Sequence, residues 1–167
     1  LMIAAALLSL SACGNTELTA RGSVLASFGG TERAYNFTQN TRLEAPEGSA
    51  GIGFITGSCE MARIDAETWG VVVEIRGGQS PDDDTPLSSI TIMQRTDREP
   101  SSGSVEAVIG SSTYTSTLGS GCSLEIPYAE SDSGMVGLVG DCGVASSDGE
   151  EATVSIELDL IGCTVLE

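Results

Sequence analysis

Four cysteines in the body of the chain, Cys59, Cys122, Cys142 and Cys163, are the residues whose type and spacing point most clearly to chemistry. Four thiolates can bind Zn²⁺, but such sites use pairs of ligands that lie only a few residues apart in sequence. The separations here are much longer, which argues against a zinc site. In an exported chain, four thiols instead predict two disulfides, and the cysteines by themselves leave three pairings open.

A fifth cysteine lies near the amino end and has a different chemistry. Residues 1–10 form an apolar run as long as the core of a signal peptide and too short to span a bilayer. The next residues complete the sequence Leu10, Ser11, Ala12 and Cys13, which resembles the bacterial lipobox. The resemblance implies a diacylglyceryl thioether on Cys13 and cleavage just before it. The alternative is an ordinary secretory signal that happens to precede a cysteine.

These features predict three parts: a signal peptide at 1–12 that lacks its basic start, a lipidated tether at 13–19, and a β domain at 20–167. Anchoring by two or more acyl chains is durable, whereas a single chain holds a protein only reversibly. Gly14 stands where some Gram-negative lipoproteins carry an inner-membrane retention aspartate. We therefore expect an extracytoplasmic, lipid-anchored protein of the cell envelope, in the outer membrane of a Gram-negative cell or the plasma membrane of a Gram-positive one.

The composition excludes several classes of function. The chain has 7 basic residues, all arginine, against 24 acidic ones, and its formal net charge is −17. Nucleic-acid binding needs clustered basic side chains, so it is not expected. The chain has no histidine and no lysine, which removes imidazole bases, Ser-His-Asp triads, Schiff bases and Walker-type phosphate sites. We do not expect an enzyme, and we expect no cofactor apart from the covalent lipid on Cys13.

The densest group of carboxylates is Asp82, Asp83 and Asp84, between Pro81 and Pro86. Carboxylate oxygens are the ligands that Ca²⁺ prefers, so these three residues are the one candidate metal site. The spacing of an EF-hand is missing, and consecutive acids are commonly a solvated turn.

The hydrophobic pattern predicts an all-β domain. Short alternating segments are separated by clusters of Gly, Ser, Asp and Pro, and the last segment alternates clearly between apolar and polar residues. A change of parity near Ile161 and Gly162 suggests a β-bulge there, and only 64–68 suggests a helical turn. The predicted strands are 18–28, 33–42, 51–59, 69–76, 87–95, 104–109, 114–118, 122–128, 135–142 and 152–165. About nine or ten strands predict a single antiparallel β-sandwich or barrel-like domain, stapled by two disulfides.

One disulfide can be predicted from strand register. If 122–128 and 135–142 form a hairpin, one register places all the apolar partners on a single face, whereas a slip of one residue would bury Glu125. That register brings Cys122 opposite Cys142, close enough for a disulfide. It pairs Tyr128 with Val136, Ile126 with Leu138, and Leu124 with Gly140.

The chain also resembles a known family. The stretch Thr56, Gly57, Ser58 and Cys59, then residues 70–78, and a final alternating strand that ends at Cys163, are similar to the mycobacterial nineteen-kilodalton lipoprotein antigen family. The resemblance covers about half the chain and implies an acylated cell-envelope protein with a small, mostly β domain. It also implies a disulfide between Cys59 and Cys163, which leaves Cys122 for Cys142.

Three functions remain open at this stage. The first is a non-enzymatic, membrane-anchored module that binds an unknown envelope protein or has a structural role. The second is a carrier that holds an apolar ligand in a cleft between sheets or inside a barrel. The third is an enzyme built from carboxylates or dependent on Ca²⁺.

Overall fold

The structure is a computed structural model that describes residues 17–43, 55–77, 87–116 and 121–167. The predicted signal peptide, Cys13 with most of its tether, and the candidate ligands Asp82, Asp83 and Asp84 lie outside the described residues. The described core and both disulfides are formed by residues that follow Glu17.

The described chain is all β, as predicted, with more strands than the nine or ten expected. Its only helical element is the 3-10 turn Pro100–Ser102, and these residues contain no helix long and apolar enough to cross a membrane. The strands are β1 (Thr19–Phe28), β2 (Thr31–Arg42), β3 (Ile55–Arg63), β4 (Trp69–Gly77), β5 (Leu87–Arg95), β6 (Ser104–Ile109), β7 (Ser112–Thr115), β8 (Cys122–Glu130), β9 (Met135–Ser146), β10 (Glu151–Ile161) and β11 (Thr164–Leu166).

All the strands belong to one open sheet in the order β11-β3-β4-β5-β6-β7-β9-β10-β1-β2, and β8 pairs with β9 beside this path. The pairs are antiparallel except β11 with β3, which is parallel, so the sheet is mixed and not purely antiparallel. We call strands β3–β7 with β11 half A, and strands β1, β2, β8, β9 and β10 half B.

Each strand buries one face because its apolar residues alternate with polar ones. In β10, Val154, Ile156, Leu158 and Leu160 are buried while Glu157 and the other alternate residues point outward, as the sequence predicts. Half A and half B bury these faces in one common hydrophobic cluster, which gives the fold its sandwich-like character.

Specific contacts join the two halves across this core. The Tyr35 hydroxyl in β2 donates a 2.6 Å hydrogen bond to the carbonyl of Leu87 in β5. The rings of Phe28 and Tyr114 meet edge to face with centroids 5.3 Å apart. Burial raises the pKa of Tyr35 well above its ordinary value, so the hydroxyl keeps its proton and its hydrogen bond.

Two local predictions are wrong. The expected bulge near Ile161 is the end of β10, since Gly162 takes a φ of +90° and the chain crosses to half A as β11. The segment 64–68 contains no helical turn, because the Asp65 side chain accepts the backbone N–H groups of Glu67 and Thr68 and closes a tight turn instead. The described part of the predicted strand 51–59 begins at Ile55. The strand predicted at 114–118 ends at Thr115.

Candidate functional site

The predicted bond between Cys122 and Cys142 is present, and the two residues are direct partners in the pairing of β8 with β9. Leu124 pairs with Gly140, also as predicted. Both cysteines are buried, so this bond fastens β8 to the sheet from the core side.

Near the turn of this hairpin, the strand pairing differs from the predicted register. The pairing shifts between Glu125 and Tyr128, so that Tyr128 faces Gly137 and not Val136, and the predicted pair of Ile126 with Leu138 is not formed. Pro127 lies within this shift, and a residue that has no N–H is tolerated in a strand at such irregularities. The extra residue of the bulge moves Tyr128 to the outer surface.

On that surface, the Tyr128 side chain lies across the neighbouring strand β9. A Cβ atom on Gly137 would lie only 2.6 Å from the Tyr128 ring, so the ring can pack at this position because residue 137 has no side chain. The hydroxyl then donates a 2.6 Å hydrogen bond to Asp159 Oδ1 on β10. Burial, followed by the bond to Asp159, raises the pKa of Tyr128 to about 12.

The second predicted disulfide, Cys59 with Cys163, is also present. It spans 104 residues and joins β3 of half A to the segment that follows β10 of half B. Gly134 lies beside it, where its carbonyl accepts the N–H groups of Gly162 and Cys163. The bond therefore fixes the crossing between the two halves.

Half B presents a polar outer surface, which we call the acidic face and define by Glu125, Asp141, Glu157 and Asp159. Strand pairing places Glu125 and Glu157 on either side of Val139. Ser155 donates a hydrogen bond to Asp141. Among the described residues no three His, Cys, Asp or Glu side chains form a group that could hold a metal ion.

Half A presents a different outer surface. Of the five large apolar side chains that stand out as exposed in the described chain, four lie on or beside its outer face, and we call them the outer apolar patch: Ile64, Val72, Met93 and Leu166. Val72 pairs directly with Met93, and Leu166 pairs with Ala62 two residues before Ile64. These side chains therefore form a neighbouring set, not isolated exceptions.

A groove of about 570 Å³ runs along this patch, between Ile64 on one side and the residues around the 3-10 turn on the other. Its floor includes Gly70, where a Cβ atom would approach Ile64 Cδ1 to 3.3 Å. Arg95, Arg98 and Ser102 also line it, and none of its lining residues is acidic.

Hydrogen bonds hold both ends of the groove in place. The turn that carries Ile64 is closed by the Asp65 carboxylate, which accepts the N–H groups of Glu67 and Thr68. The pKa of Asp65 is lowered first by the bond from the Glu67 N–H and then by a hydrogen bond from the Thr68 side chain. On the opposite side, buried Gln94 donates a 2.8 Å hydrogen bond to the Leu124 carbonyl and a longer one to Glu99. Thr96 Oγ1 accepts the N–H of Trp69 and links the two loops.

The two arginines of the groove differ in their partners. Arg95 forms a double hydrogen bond to Asp97, with both N···O distances 2.9 Å. Arg98 makes no ion pair with any described carboxylate, although its backbone N–H is bonded to the Arg95 carbonyl. Arg98 is thus the cation in the groove that is available to a ligand.

The sequence predictions did not include this groove, although one signal was present. Val71, Val72 and Val73 are consecutive, so an alternating strand must place one of them on its outer face. The contribution of Ile64 and Arg98 depends on how the loops that carry them fold, which no local pattern indicates. The chain matches no protein-family model, no curated protein and no solved structure with which it was compared.

Proposed function

We propose that this protein is a lipid-anchored, extracytoplasmic module of the cell envelope that acts by binding and not by catalysis. The observation that carries the proposal is the pair of buried disulfides, Cys59–Cys163 and Cys122–Cys142. Disulfides form and persist in oxidising compartments outside the cytoplasm.

The anchor is the part of the proposal that rests on sequence. Cys13 follows a short apolar run and two small residues, which is the arrangement that the lipobox resemblance implies. Diacylglyceryl transfer to its sulfur, followed by acylation of the new amino terminus, supplies enough buried methylene groups for durable attachment.

The character of the described ionisable groups supports binding rather than catalysis. Shifted pKa values are resolved for Tyr35, Asp65, Tyr114 and Tyr128, and burial or a turn hydrogen bond is the first cause in each case. Burial and structural hydrogen bonds shift pKa values in this way without any catalytic role. The lack of histidine and lysine in the whole sequence points the same way.

The filled interior favours a binding site on the surface. The faces of half A and half B that point at each other are occupied by one cluster of apolar side chains, many of them completely buried. A ligand held between the two halves would have to displace these contacts, whereas the groove beside the outer apolar patch is already open.

Replacing Cys13 by Ala tests the anchor. We expect the wild-type chain to incorporate labelled fatty acid and to sediment with membranes, and the Cys13→Ala variant to lose the label, because the proposed thioether is formed by the sulfur of this residue. Equal label in both chains would overturn the anchor. Reaction of the four remaining cysteines with a thiol reagent, in the protein as isolated without reductant, tests the oxidised state independently.

A further inference from the structure

We infer that the groove beside the outer apolar patch binds a single-chain anionic amphiphile, namely a long-chain carboxylate with its alkyl chain along the patch and its head group at Arg98. The inference deepens the proposed function, because it rests on the protein's being a binding module and names the class of ligand.

The apolar part of the ligand follows from where the exposed apolar side chains lie. Val72 and Met93 are 41% and 48% exposed and are cross-strand partners, and Ile64 at 47% forms the adjoining wall. Exposed apolar residues that cluster in this way mark a binding surface, whereas single ones do not. The volume of about 570 Å³ is in the range of small-molecule sites.

The anionic part follows from charge. The chain carries 24 acidic and 7 basic residues, yet the residues that line the groove include Arg95 and Arg98 and no carboxylate. Arg95 is already paired with Asp97, which leaves Arg98 to receive a carboxylate. A guanidinium matches a carboxylate with two parallel hydrogen bonds.

The groove is also formed before any ligand arrives. The Asp65 turn, the bond from Trp69 to Thr96 and the bonds of Gln94 fix the walls. A preformed site costs little ordering of the protein on binding.

The net charge of the whole molecule allows the ligand class to be tested by comparing an anionic amphiphile with a cationic one. With a formal charge of −17, the long-range field of the protein attracts cationic amphiphiles and repels anionic ones. A preference for an anion must therefore arise locally, at the arginines of the groove.

The experiment is calorimetric titration of the domain from Glu17 onward with dodecanoate, and separately with dodecyltrimethylammonium, both below the concentration at which they form micelles. The described core and both disulfides are contained in this domain. We expect dodecanoate to bind as a single molecule per chain and more tightly than the cation of equal chain length. Absence of dodecanoate binding, or tighter binding of the cation, would overturn the inference.

A matched pair of variants locates the site. Val72→Asp places a carboxylate in the groove and should weaken dodecanoate binding about tenfold or more. Val139→Asp makes the same change at a valine that is 40% exposed on half B, and should leave binding unchanged. Equal weakening in both variants would mean that net charge, not the groove, governs binding, and would overturn the inference.

Arg98→Gln tests the head group, with an expected loss of about fivefold for dodecanoate and none for dodecanol. Circular dichroism checks that each variant is folded, and Met93→Glu replaces Val72→Asp if that variant is not. If dodecanoate does not bind but Cys13 still carries the fatty-acid label, the inferred ligand class is wrong and the proposal of a lipid-anchored module stands. If dodecanoate binds but Cys13 carries no label, the proposed lipid anchor is wrong and the inferred ligand class stands.

Discussion

The outer faces of the two halves are built by the same alternation of residues and yet differ in how they group apolar and charged side chains. On half B, Glu125 and Glu157 flank Val139, so its one exposed valine is surrounded by solvated charge. On half A, Val72 lies between Glu60 and Met93, with arginine at the margin. The contrast shows that a net charge of −17 describes the molecule as a whole and not each surface. Where the chain can bind depends on how strand pairing distributes its residues.

The largest expected effect on the free energy of unfolding comes from removing the disulfide that joins the two halves. Replacing Cys59 and Cys163 together by Ala removes a cross-link that spans 104 residues, which should lower the free energy of unfolding by about 5 kcal/mol through the greater entropy of the unfolded chain. Replacing Cys122 and Cys142 removes a bond within half B that spans 20 residues and should cost about 3 kcal/mol. Urea unfolding of both double variants measures the difference. A smaller loss for the first pair would mean that the halves are held together mainly by their common core.

A smaller effect is expected within half B, where the acidic face depends on the register of β1 with β10. Gly22 pairs with Leu158 and has a φ of +108°, and a Cβ atom there would collide with the Glu157 carbonyl oxygen. Gly22→Ala should therefore reduce the free energy of unfolding by about 3 kcal/mol.

The control for this change is Gly29→Ala. Gly29 also has a positive φ, +54°, but no described atom lies within 4 Å of its Cβ position, so we expect a loss of only about 1 kcal/mol. Thermal unfolding of the two variants compares the carbonyl contact with backbone strain alone. Equal losses would show that the collision is relieved by a small shift of β10.

The smallest effect concerns the hydrogen bond that crosses the acidic face. Tyr128→Phe removes the bond to Asp159 and should cost about 1 kcal/mol at neutral pH. The pKa of Tyr128 in the folded protein is raised from 10 to about 12, so its stabilising contribution is complete below pH 10 and is lost as the pH rises towards 12.

The wild-type protein should therefore approach the stability of Tyr128→Phe as the pH rises through this interval. Tyr35 and Tyr114 are present in both proteins and also have raised pKa values, so the difference between the proteins isolates Tyr128. Unfolding midpoints measured on both sides of the interval test this. A constant difference between the two proteins would show that the Tyr128 hydroxyl does not titrate there.

Much of the fold could be predicted from local pattern, because strands bury alternate residues and turns need particular residue types. The strand β10 and the pairing of Cys122 with Cys142 follow from residues close together in sequence, where burial of one face sets the register. The shift at Pro127 could not be placed, since it moves Tyr128 to the outer surface, where its ring packs on Gly137, and the local pattern of apolar residues predicted the opposite face.

The sequence by itself determined the residue types available: two pairs of thiols, abundant carboxylates, few arginines, and strands with one apolar face. The tertiary structure alone decided that β10 ends at Ile161 and that β11 crosses to lie parallel with β3. It also decided that Ile64, Val72 and Met93 line one groove with Arg98. The physical reason is that pairing between distant strands depends on the burial of the whole core, and a short window of sequence does not contain that information.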